Sequence, residues 1–378
     1  MSATVPVISL ADPDAAAKFD DAARNVGFLQ IADHGVPAEV IENMLNVSGE
    51  FFARPLVEKQ RFGPPLPAIN RGYAAKGSEG LAYSVGMETP PDLFEAFNLG
   101  PDDVDPQSVL AKTLFFAENI WPLDQPTFRS AINDYFVHVR SLAHRLTDLF
   151  AVALELPGGY FRMYTGYSTD TLRINHYQRG AVEGDPLIGQ FGMGAHTDYG
   201  IVTVLYADPI PGLQILSAKG DWVDVQPEPG CFLVNLGDLT AEWTNDRWRS
   251  TLHRVQPPAP GVTRRSVAFF HDGNFDANIE CLPTCTSPEN PPKYAPVTAG
   301  DHLMAKLLGP RTLSKSTHTI DTSADQASAA SHAVTASAKA TCACCTAAKA
   351  SKTDSLRNRG PSGCSGNEES TDERCVDE

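Results

Sequence analysis

The segment FGMGAHTDYGIVTVLY carries His196 and Asp198, whose types and spacing suit a metal ion. Side chains alternate between the two faces of an extended chain, so residues i and i+2 share a face and can point at one ion. A third ligand must come from elsewhere, and the candidate is His253 in RSTLHRVQPP, another segment with strand-like apolar alternation. Two imidazole nitrogens and one carboxylate on one face of an octahedron suit ferrous iron and leave its other positions open. The sequence therefore predicts a metal site formed by His196, Asp198 and His253.

A candidate carboxylate receptor lies further along the chain. The run Thr263-Arg264-Arg265-Ser266 opens the strand-like segment SVAFFHD, in which Arg264 and Ser266 share one face. The guanidinium fork of an arginine matches the geometry of a carboxylate, and a neighbouring hydroxyl can donate a further hydrogen bond. We predict that Arg264 and Ser266 bind a carboxylate, the alternative being an ion pair of Arg264 with an acidic residue of the protein.

The order of these motifs, His-x-Asp, then a distant His and then Arg-x-Ser, resembles the isopenicillin N synthase-like family of Fe(II)/2-oxoglutarate-dependent oxygenases. The resemblance extends to the N-terminal part, where VGFLQIADHGVP is similar to the family's strand and Asn-His-Gly turn, with Asp33 in place of the asparagine. Further segments in the family's order are FFARPLVEKQRF, Arg71-Gly72-Tyr73, Glu95 and Trp121-Pro122. Together the matches span residues 4 to 308 in one continuous order.

The resemblance implies an oxidoreductase with Fe(II) as its metal and 2-oxoglutarate and O2 as cosubstrates. Such an enzyme hydroxylates or desaturates a small organic molecule and converts 2-oxoglutarate to succinate and CO2. The three predicted ligands would hold the iron, and no further catalytic residue is implied. Neither the substrate nor the choice between hydroxylation and desaturation follows from the motifs.

The resemblance also implies roles for residues around the metal. Arg264 and Ser266 would bind the distal carboxylate of 2-oxoglutarate. In LRINHYQ, Asn175 and Tyr177 match the family's Asn-x-Tyr, whose tyrosine hydroxyl contacts the cosubstrate carboxylate and whose asparagine lies near the metal. His271 follows the Arg-x-Ser strand, in a region where the family often lines the substrate pocket, which implies a substrate contact.

Three other functions remain open at this point. An oxidase of the same fold that does not use 2-oxoglutarate also keeps an Arg-x-Ser motif. A zinc hydrolase uses similar ligands, but such enzymes usually carry both histidines in His-Glu-x-x-His, which the sequence lacks. A non-catalytic member that only binds a ligand would have no need of an open iron site.

The pattern along the chain predicts a mainly β fold with flanking helices, of the α+β class. From Pro126 to Leu156 apolar residues recur at three and four, which predicts a long amphipathic helix. The segment from Gly63 to Gln107 is rich in Gly and Pro, which predicts an irregular loop that lies over the active site. After Gly158 many short strand-like runs alternate with turn signals, which favours a double-stranded β-helix, or jelly roll, with the N-terminal helices packed outside.

Three regions are predicted. Residues 1–157 form a helical and irregular region that packs on the barrel, and residues 158–313 form the oxygenase domain with a C-terminal helix. Residues 314–378 contain no Phe, Trp or Tyr and are predicted to be a disordered, low-complexity tail. The tail includes a Cys-x-Cys-Cys cluster at Cys342, Cys344 and Cys345, but no second ligand pair has the spacing of a zinc site, so we interpret the tail as an extension.

Composition limits the partners and the compartment. The net charge is −16, and no basic patch interleaved with aromatic residues is present, which argues against nucleic acid as a partner. The first residues lack the pattern of a secretory signal, and no apolar run has the length of a membrane span, so a cytoplasmic protein without membrane contact is expected. Of the eight cysteines only Cys231, Cys281 and Cys285 lie before the tail, and they are predicted to be free thiols. The oligomeric state is not predicted.

Overall fold

Seven α-helices and fourteen β-strands form the described part of the chain, which in this computed structural model comprises residues 5–66, 69–182 and 184–313. The helices are α1 (Ala15–Asn25), α2 (Ala38–Phe52), α3 (Leu56–Lys59), α4 (Pro126–Ala153), α5 (Arg162–Thr165), α6 (Asp238–Trp243) and α7 (Ala299–Leu313). The strands before residue 200 are β1 (Val7–Ser9), β2 (Phe28–Ala32), β3 (Gly72–Ala74), β4 (Glu95–Leu99), β5 (Thr171–Gln178) and β6 (Met193–His196). The later strands are β7 (Val202–Ala207), β8 (Leu213–Leu216), β9 (Trp222–Asp224), β10 (Phe232–Leu236), β11 (His253–Val255), β12 (Thr263–His271), β13 (Asn278–Ile279) and β14 (Val297–Thr298).

Two of the sheets pack against each other through a shared apolar core. The larger sheet has eight strands in the order β1-β2-β10-β7-β12-β5-β4-β3, and the smaller has four in the order β6-β11-β8-β9. Neighbouring strands are antiparallel except β1 and β2, which are parallel. Phe28, Ala96 and Tyr177 of the larger sheet meet Ile215 and Val255 of the smaller one in this core. Two mainly antiparallel sheets over one core confirm the predicted jelly roll.

Helix α4 supports the outer face of the larger sheet. Proline at its first position suits a helix start, because the missing N–H would have no partner there. Its apolar stripe packs with α1, α2 and strands β7 and β12, which confirms the predicted helices outside the barrel. The buried apolar residues of this stripe are Phe128, Ile132, Tyr135, Phe136, Val139, Leu142, Ala143, Leu146 and Phe150.

Strand β12 lies between α4 and the space that separates the sheets. Phe269 of β12 contacts Phe136 of α4 edge to face, with ring centroids 5.1 Å apart, and Val267 is fully buried on the same side. Because side chains alternate along a strand, Arg264 and Ser266 point to the opposite face, toward the smaller sheet. Packing on α4 therefore decides which side chains of β12 face inward.

The predicted loop from Gly63 to Gln107 contains two strands that the sequence did not reveal. Strand β4 pairs with β5, and β3 pairs with β4, so the two extend the larger sheet at one edge. All five residues of β4 are buried, so its sequence EAFNL lacks the alternation that marks a half-exposed strand. The other described residues of the segment form turns, loops and one short 3-10 helix, Leu81–Val85.

Strands from both sides of residue 157 share the larger sheet, since β10 pairs with β2 and β5 pairs with β4. The division into regions 1–157 and 158–313 stays a prediction, and the predicted tail 314–378 lies outside the described residues. Within the described ranges, no helix is both long and apolar enough to cross a bilayer.

A buried ion pair ties the N-terminal part of the chain to β4 and β5. The ammonium of Lys59 donates to both carboxylate oxygens of Glu95, at 2.9 and 2.7 Å, and to the carbonyl of Phe52 at 3.0 Å. The Tyr73 hydroxyl donates to the same carboxylate, and His176 Nδ1 lies 2.9 Å from it. Burial raises the pKa of Glu95, but the hydrogen bonds from its neighbours outweigh burial and hold the pKa below its ordinary value. The carboxylate is therefore charged and fully compensated.

Replacing Lys59 with methionine is expected to lower the free energy of unfolding by about 3 kcal/mol or more, because it leaves the Glu95 carboxylate buried without its cation. Urea denaturation measures this change. The matched control is Arg162→Met, which removes a cation from the solvent-exposed pair with Asp148 and should change stability little. Equal effects of the two substitutions would contradict a buried, compensated pair at Lys59.

Candidate metal centre and active site

The three predicted metal ligands lie side by side. His196 ends β6 and His253 begins β11, and the two residues are direct partners across these antiparallel strands. Asp198 lies two residues beyond the end of β6. The strand alternation that the sequence suggested is therefore not enough by itself to place Asp198 beside His196. Its Oδ1 is 3.6 Å from Nε2 of His196 and 3.7 Å from Nε2 of His253. All three residues are buried and their ligand atoms lie within 4.8 Å of one another, so one ion can contact all three.

Backbone carbonyls orient both imidazole rings. Nδ1 of His196 lies 2.8 Å from the carbonyl oxygen of Gly194, and Nδ1 of His253 lies 3.0 Å from that of Thr251. A carbonyl can only accept, so each Nδ1 carries the hydrogen and each Nε2 keeps its lone pair. The lone pairs therefore point at the space beside Asp198, as metal ligation requires.

Two donors, one from β7 and one from β10, hold the Asp198 carboxylate. Its Oδ2 accepts hydrogen bonds from the Thr203 hydroxyl at 2.5 Å and from the Asn235 amide at 2.7 Å. This leaves Oδ1 facing the two histidines. Sequence reasoning missed both donors, because Thr203 and Asn235 stand out only once β7 and β10 lie next to the turn that carries Asp198.

The ionisation of this group suits a divalent cation. Burial, reinforced by His253, lowers the pKa of His196 to about 4, so the imidazole is neutral at physiological pH. Burial works to raise the pKa of Asp198, but the two histidines and the two hydrogen-bond donors outweigh it and lower the pKa. A neutral His196 imidazole beside the ionised Asp198 carboxylate, with their ligand atoms free, suits the binding of Fe(II).

The predicted cosubstrate residues form a second group on the larger sheet. Strands β12 and β5 are antiparallel neighbours, with Arg264 opposite Tyr177 and Ser266 opposite Asn175. The Arg264 guanidinium lies over the Tyr177 ring, 5.1 Å from its centroid, and Nδ2 of Asn175 is 3.4 Å from Oγ of Ser266. The structure thus brings together all four residues that the two motifs predicted.

Arg264 has an unused hydrogen-bond donor. The residue is only 1% exposed, and its Nε donates to the carbonyl of Ile210 at 3.3 Å. Its Nη1 has no partner among the described residues. A buried guanidinium N–H without an acceptor is costly, and a carboxylate satisfies it in the planar geometry that arginine favours. The arrangement fits the distal carboxylate of 2-oxoglutarate.

One cavity of about 150 Å³ reaches both groups of residues. Its wall includes Ser78 to Leu81, from the segment between β3 and β4, and Leu303 and Leu307 of α7. Part of the loop that the sequence predicted over the active site therefore does line the cavity.

His271, the predicted substrate residue, is not among the residues that line this cavity. It is fully buried on the α4 side of β12, where its Nδ1 lies 2.9 Å from Oδ1 of Asp170 and its ring lies 5.0 Å from that of His144. Its neighbours Phe270 and Asp272 face the cavity instead. The even spacing of Asp272 from Arg264 along the strand is the sequence signal that indicates this face.

Two parts of the chain match known protein families. Residues 168–273 match the 2OG-Fe(II) oxygenase superfamily, and residues 5–124 match the family described as non-haem dioxygenase in morphine synthesis N-terminal. The first match contains the predicted metal ligands and the Arg-x-Ser motif.

Known relatives and solved structures agree with these matches. The chain is 36% identical to the 2-oxoglutarate-Fe(II) type oxidoreductase hxnY of Emericella nidulans over 280 residues, which cover 73% of this chain and 78% of that protein. It is 34% identical to a 2-oxoglutarate-Fe(II) type oxidoreductase of Aspergillus fumigatus over 293 residues, which cover 75% and 84% of the two chains.

Among solved structures, the dioxygenase for auxin oxidation in rice superposes with a TM-score of 0.63 at 29% identity, covering 80% of this chain and 95% of the rice chain. A full-length Neurospora crassa protein in complex with alpha-KG superposes with a TM-score of 0.71, also at 29% identity and with the same coverage of 80% and 95%. Sequence and fold therefore agree over most of the chain. This protein belongs to the 2OG-Fe(II) oxygenase superfamily and is a dioxygenase that uses Fe(II) and 2-oxoglutarate.

Proposed function

We propose that His196, Asp198 and His253 hold the Fe(II), and that Arg264 and Ser266 bind the distal carboxylate of 2-oxoglutarate. The observation that carries this assignment is the buried Nη1 of Arg264, which lacks a partner within the described residues and lies in the wall of the cavity that contains the three metal ligands. The enzyme hydroxylates or desaturates a small organic molecule and converts 2-oxoglutarate to succinate and CO2.

Bound iron, with O2 and 2-oxoglutarate, supplies the oxidising power of the reaction. The contribution of the protein is binding and orientation. Asp198 presents one carboxylate oxygen, because its other oxygen is held by two donors. The two histidines present Nε2, because each Nδ1 is held by a carbonyl.

Four residues position the cosubstrate in this proposal. The Arg264 cation and the Ser266 hydroxyl bind the distal carboxylate, and the Tyr177 ring supports the guanidinium from one side. We assign the Tyr177 hydroxyl, which lies 3.8 Å from Sδ of Met193, as a further donor to the same carboxylate. Asn175 accepts a hydrogen bond from Nε of Arg173 at 3.1 Å, and its Nδ2 lies 3.4 Å from Oγ of Ser266, so it is held in the cavity wall beside the carboxylate receptor. His271 has no role in the proposed site.

Several finer assignments belong to the same proposal. The order of the motifs supports the proposal that the enzyme belongs to the isopenicillin N synthase-like branch of the superfamily. The family matches on either side of residue 157 support an N-terminal region that packs on an oxygenase domain of residues 158–313. The free thiols of Cys231, Cys281 and Cys285 suit the reducing cytoplasm, which we propose as its compartment.

The cosubstrate assignment predicts that one variant loses the metal site and that another loses only affinity for 2-oxoglutarate. Under anaerobic conditions the wild-type protein with Fe(II) and 2-oxoglutarate should show the weak visible metal-to-ligand charge-transfer band. His196→Ala should lose the band because a metal ligand is missing. Arg264→Ala should keep it but need at least about tenfold more 2-oxoglutarate, because the charge-assisted hydrogen bonds to the carboxylate are lost.

The matched control is Arg265→Ala. Arg265 is the next residue but faces away, with its Nε 3.8 Å from Oδ2 of Asp208. This variant should bind 2-oxoglutarate like the wild type. An equal loss in both arginine variants would contradict the assigned role of Arg264, and the absence of a band in iron-loaded wild-type protein would contradict the proposed site as a whole.

The hydrogen bond from Thr203 to Asp198 predicts an effect on metal affinity. Thr203→Val should weaken Fe(II) binding by about tenfold or more, because the carboxylate loses the donor that orients it. Anaerobic Fe(II) titration measures the affinity. Thr203→Ser, which keeps the hydroxyl, should bind iron almost as tightly as the wild type, and equal weakening in the two variants would show that the methyl group rather than the hydrogen bond matters.

A further inference from the structure

Asp272 is an acidic residue in the cavity wall that the proposed function does not use. It follows directly after β12, on the face that carries Arg264 and Ser266, and it is 5% exposed. Its carboxylate has no hydrogen bond or ion pair with any described residue, and only its backbone N–H is bonded, to Oδ1 of Asp170 at 3.2 Å. Burial, together with the nearby Asp170 and Asp198, raises the pKa of Asp272 to about 8.

The neighbouring acid, Asp170, shows what a compensated carboxylate looks like in this part of the fold. Its Oδ1 lies 2.9 Å from Nδ1 of His271, and its Oδ2 accepts a hydrogen bond from Arg140 at 3.2 Å. Its pKa is lowered, because these partners outweigh the effect of burial. The two neighbouring acids thus differ, since Asp170 is paired with Arg140 and His271, whereas the Asp272 carboxyl has no partner in the described part of the chain.

Gly200 makes room for the free carboxylate. A Cβ atom at this position would lie 1.7 Å from Oδ1 of Asp272, so any side chain would collide with the carboxylate. Gly200 lies in the turn that also carries Asp198, and both residues line the cavity. The free carboxylate therefore lies beside the metal centre and not in a remote corner of the cavity.

The charges around the loaded cavity balance while Asp272 is protonated, as its raised pKa favours. Fe(II) and the Arg264 cation together offset the Asp198 carboxylate and the two carboxylates of 2-oxoglutarate. Arg173 forms a buried pair with Glu79, with Nη2 and Oε2 2.7 Å apart, so it is not free to bind an anionic substrate. An isolated buried carboxylate is costly, so Asp272 ionises at neutral pH only when a positive charge lies next to it, and the described residues supply none.

We propose that Asp272 binds a positively charged nitrogen of the substrate, and that the substrates are therefore small organic amines. This inference rests on the proposed function of the same site. A cationic amine supplies the donors and the charge that the carboxylate lacks, and its carbon atoms next to the nitrogen lie close to the turn that carries Asp198. Asp272 is in this sense a residue that determines specificity.

The test uses the full-length protein loaded with Fe(II) and 2-oxoglutarate without oxygen. The probes are matched sets of a primary amine, the corresponding alcohol and the corresponding carboxylic acid on cyclohexyl, benzyl and n-pentyl skeletons. Binding is followed by the change that each compound causes in the charge-transfer band. We expect the amine to bind more tightly than its alcohol and its acid, and Asp272→Asn to weaken amine binding at least about 30-fold while leaving alcohol binding unchanged.

The matched control is Asp221→Asn, which removes one negative charge from an exposed position outside the cavity and should leave amine binding unchanged. An unaltered 2-oxoglutarate band in Asp272→Asn shows that this variant is folded and that the proposed function holds. The inference is overturned if the wild type does not prefer the amine on any skeleton, or if Asp272→Asn binds amines like the wild type. A wild-type protein without the band would instead overturn the proposed function itself.

Discussion

The pleat of strand β12 is the constraint on which the active site depends. Phe269 is fixed against Phe136 of α4, so the residues at even positions from Arg264 to Asp272 must face the space between the sheets. A shift of one residue would turn every one of these side chains to the other face. The same alternation turns His271 to the helix side, where its Nδ1 lies 2.9 Å from Oδ1 of Asp170.

The two parts of the site belong to different sheets. The histidines lie on the smaller sheet, where β6 and β11 pair, and the carboxylate receptor lies on the larger sheet, where β5 and β12 pair. Neither sheet contains a complete site. The cavity exists because the apolar core between the sheets holds them together, so packing energy and catalytic geometry have a common source.

Buried charges divide into two classes in this structure. The Lys59–Glu95 and Arg140–Asp170 pairs are compensated by the protein itself, which is the usual condition for charge in an apolar interior. Arg264 and Asp272 are buried in the cavity wall with polar atoms that the described residues leave without a partner. Polar groups of this second class cost stability, and a ligand that pairs with them recovers that cost as binding energy. Within the cavity wall, these unpaired groups are therefore candidate ligand contacts.

Local sequence patterns were sufficient to predict the metal and carboxylate motifs, the long helix and the fold class. Residue types and spacing identified the His-x-Asp, the distant histidine and Arg-x-Ser, and periodicity predicted α4 and the strands of the jelly roll, because these signals depend on neighbours in the sequence. The ordered resemblance to a known family added the cofactors. These features were determined by the sequence alone.

Other features were decided only by the tertiary structure. Strand β4 is buried on both faces by elements far along the chain, so its sequence shows no alternation. Asn235 becomes a partner of Asp198, and Asp272 remains without one, only when β10 and β12 lie beside the segment that carries Asp198. Burial and pairing are properties of contacts between residues that are remote in sequence, and for that reason no local pattern could reveal them.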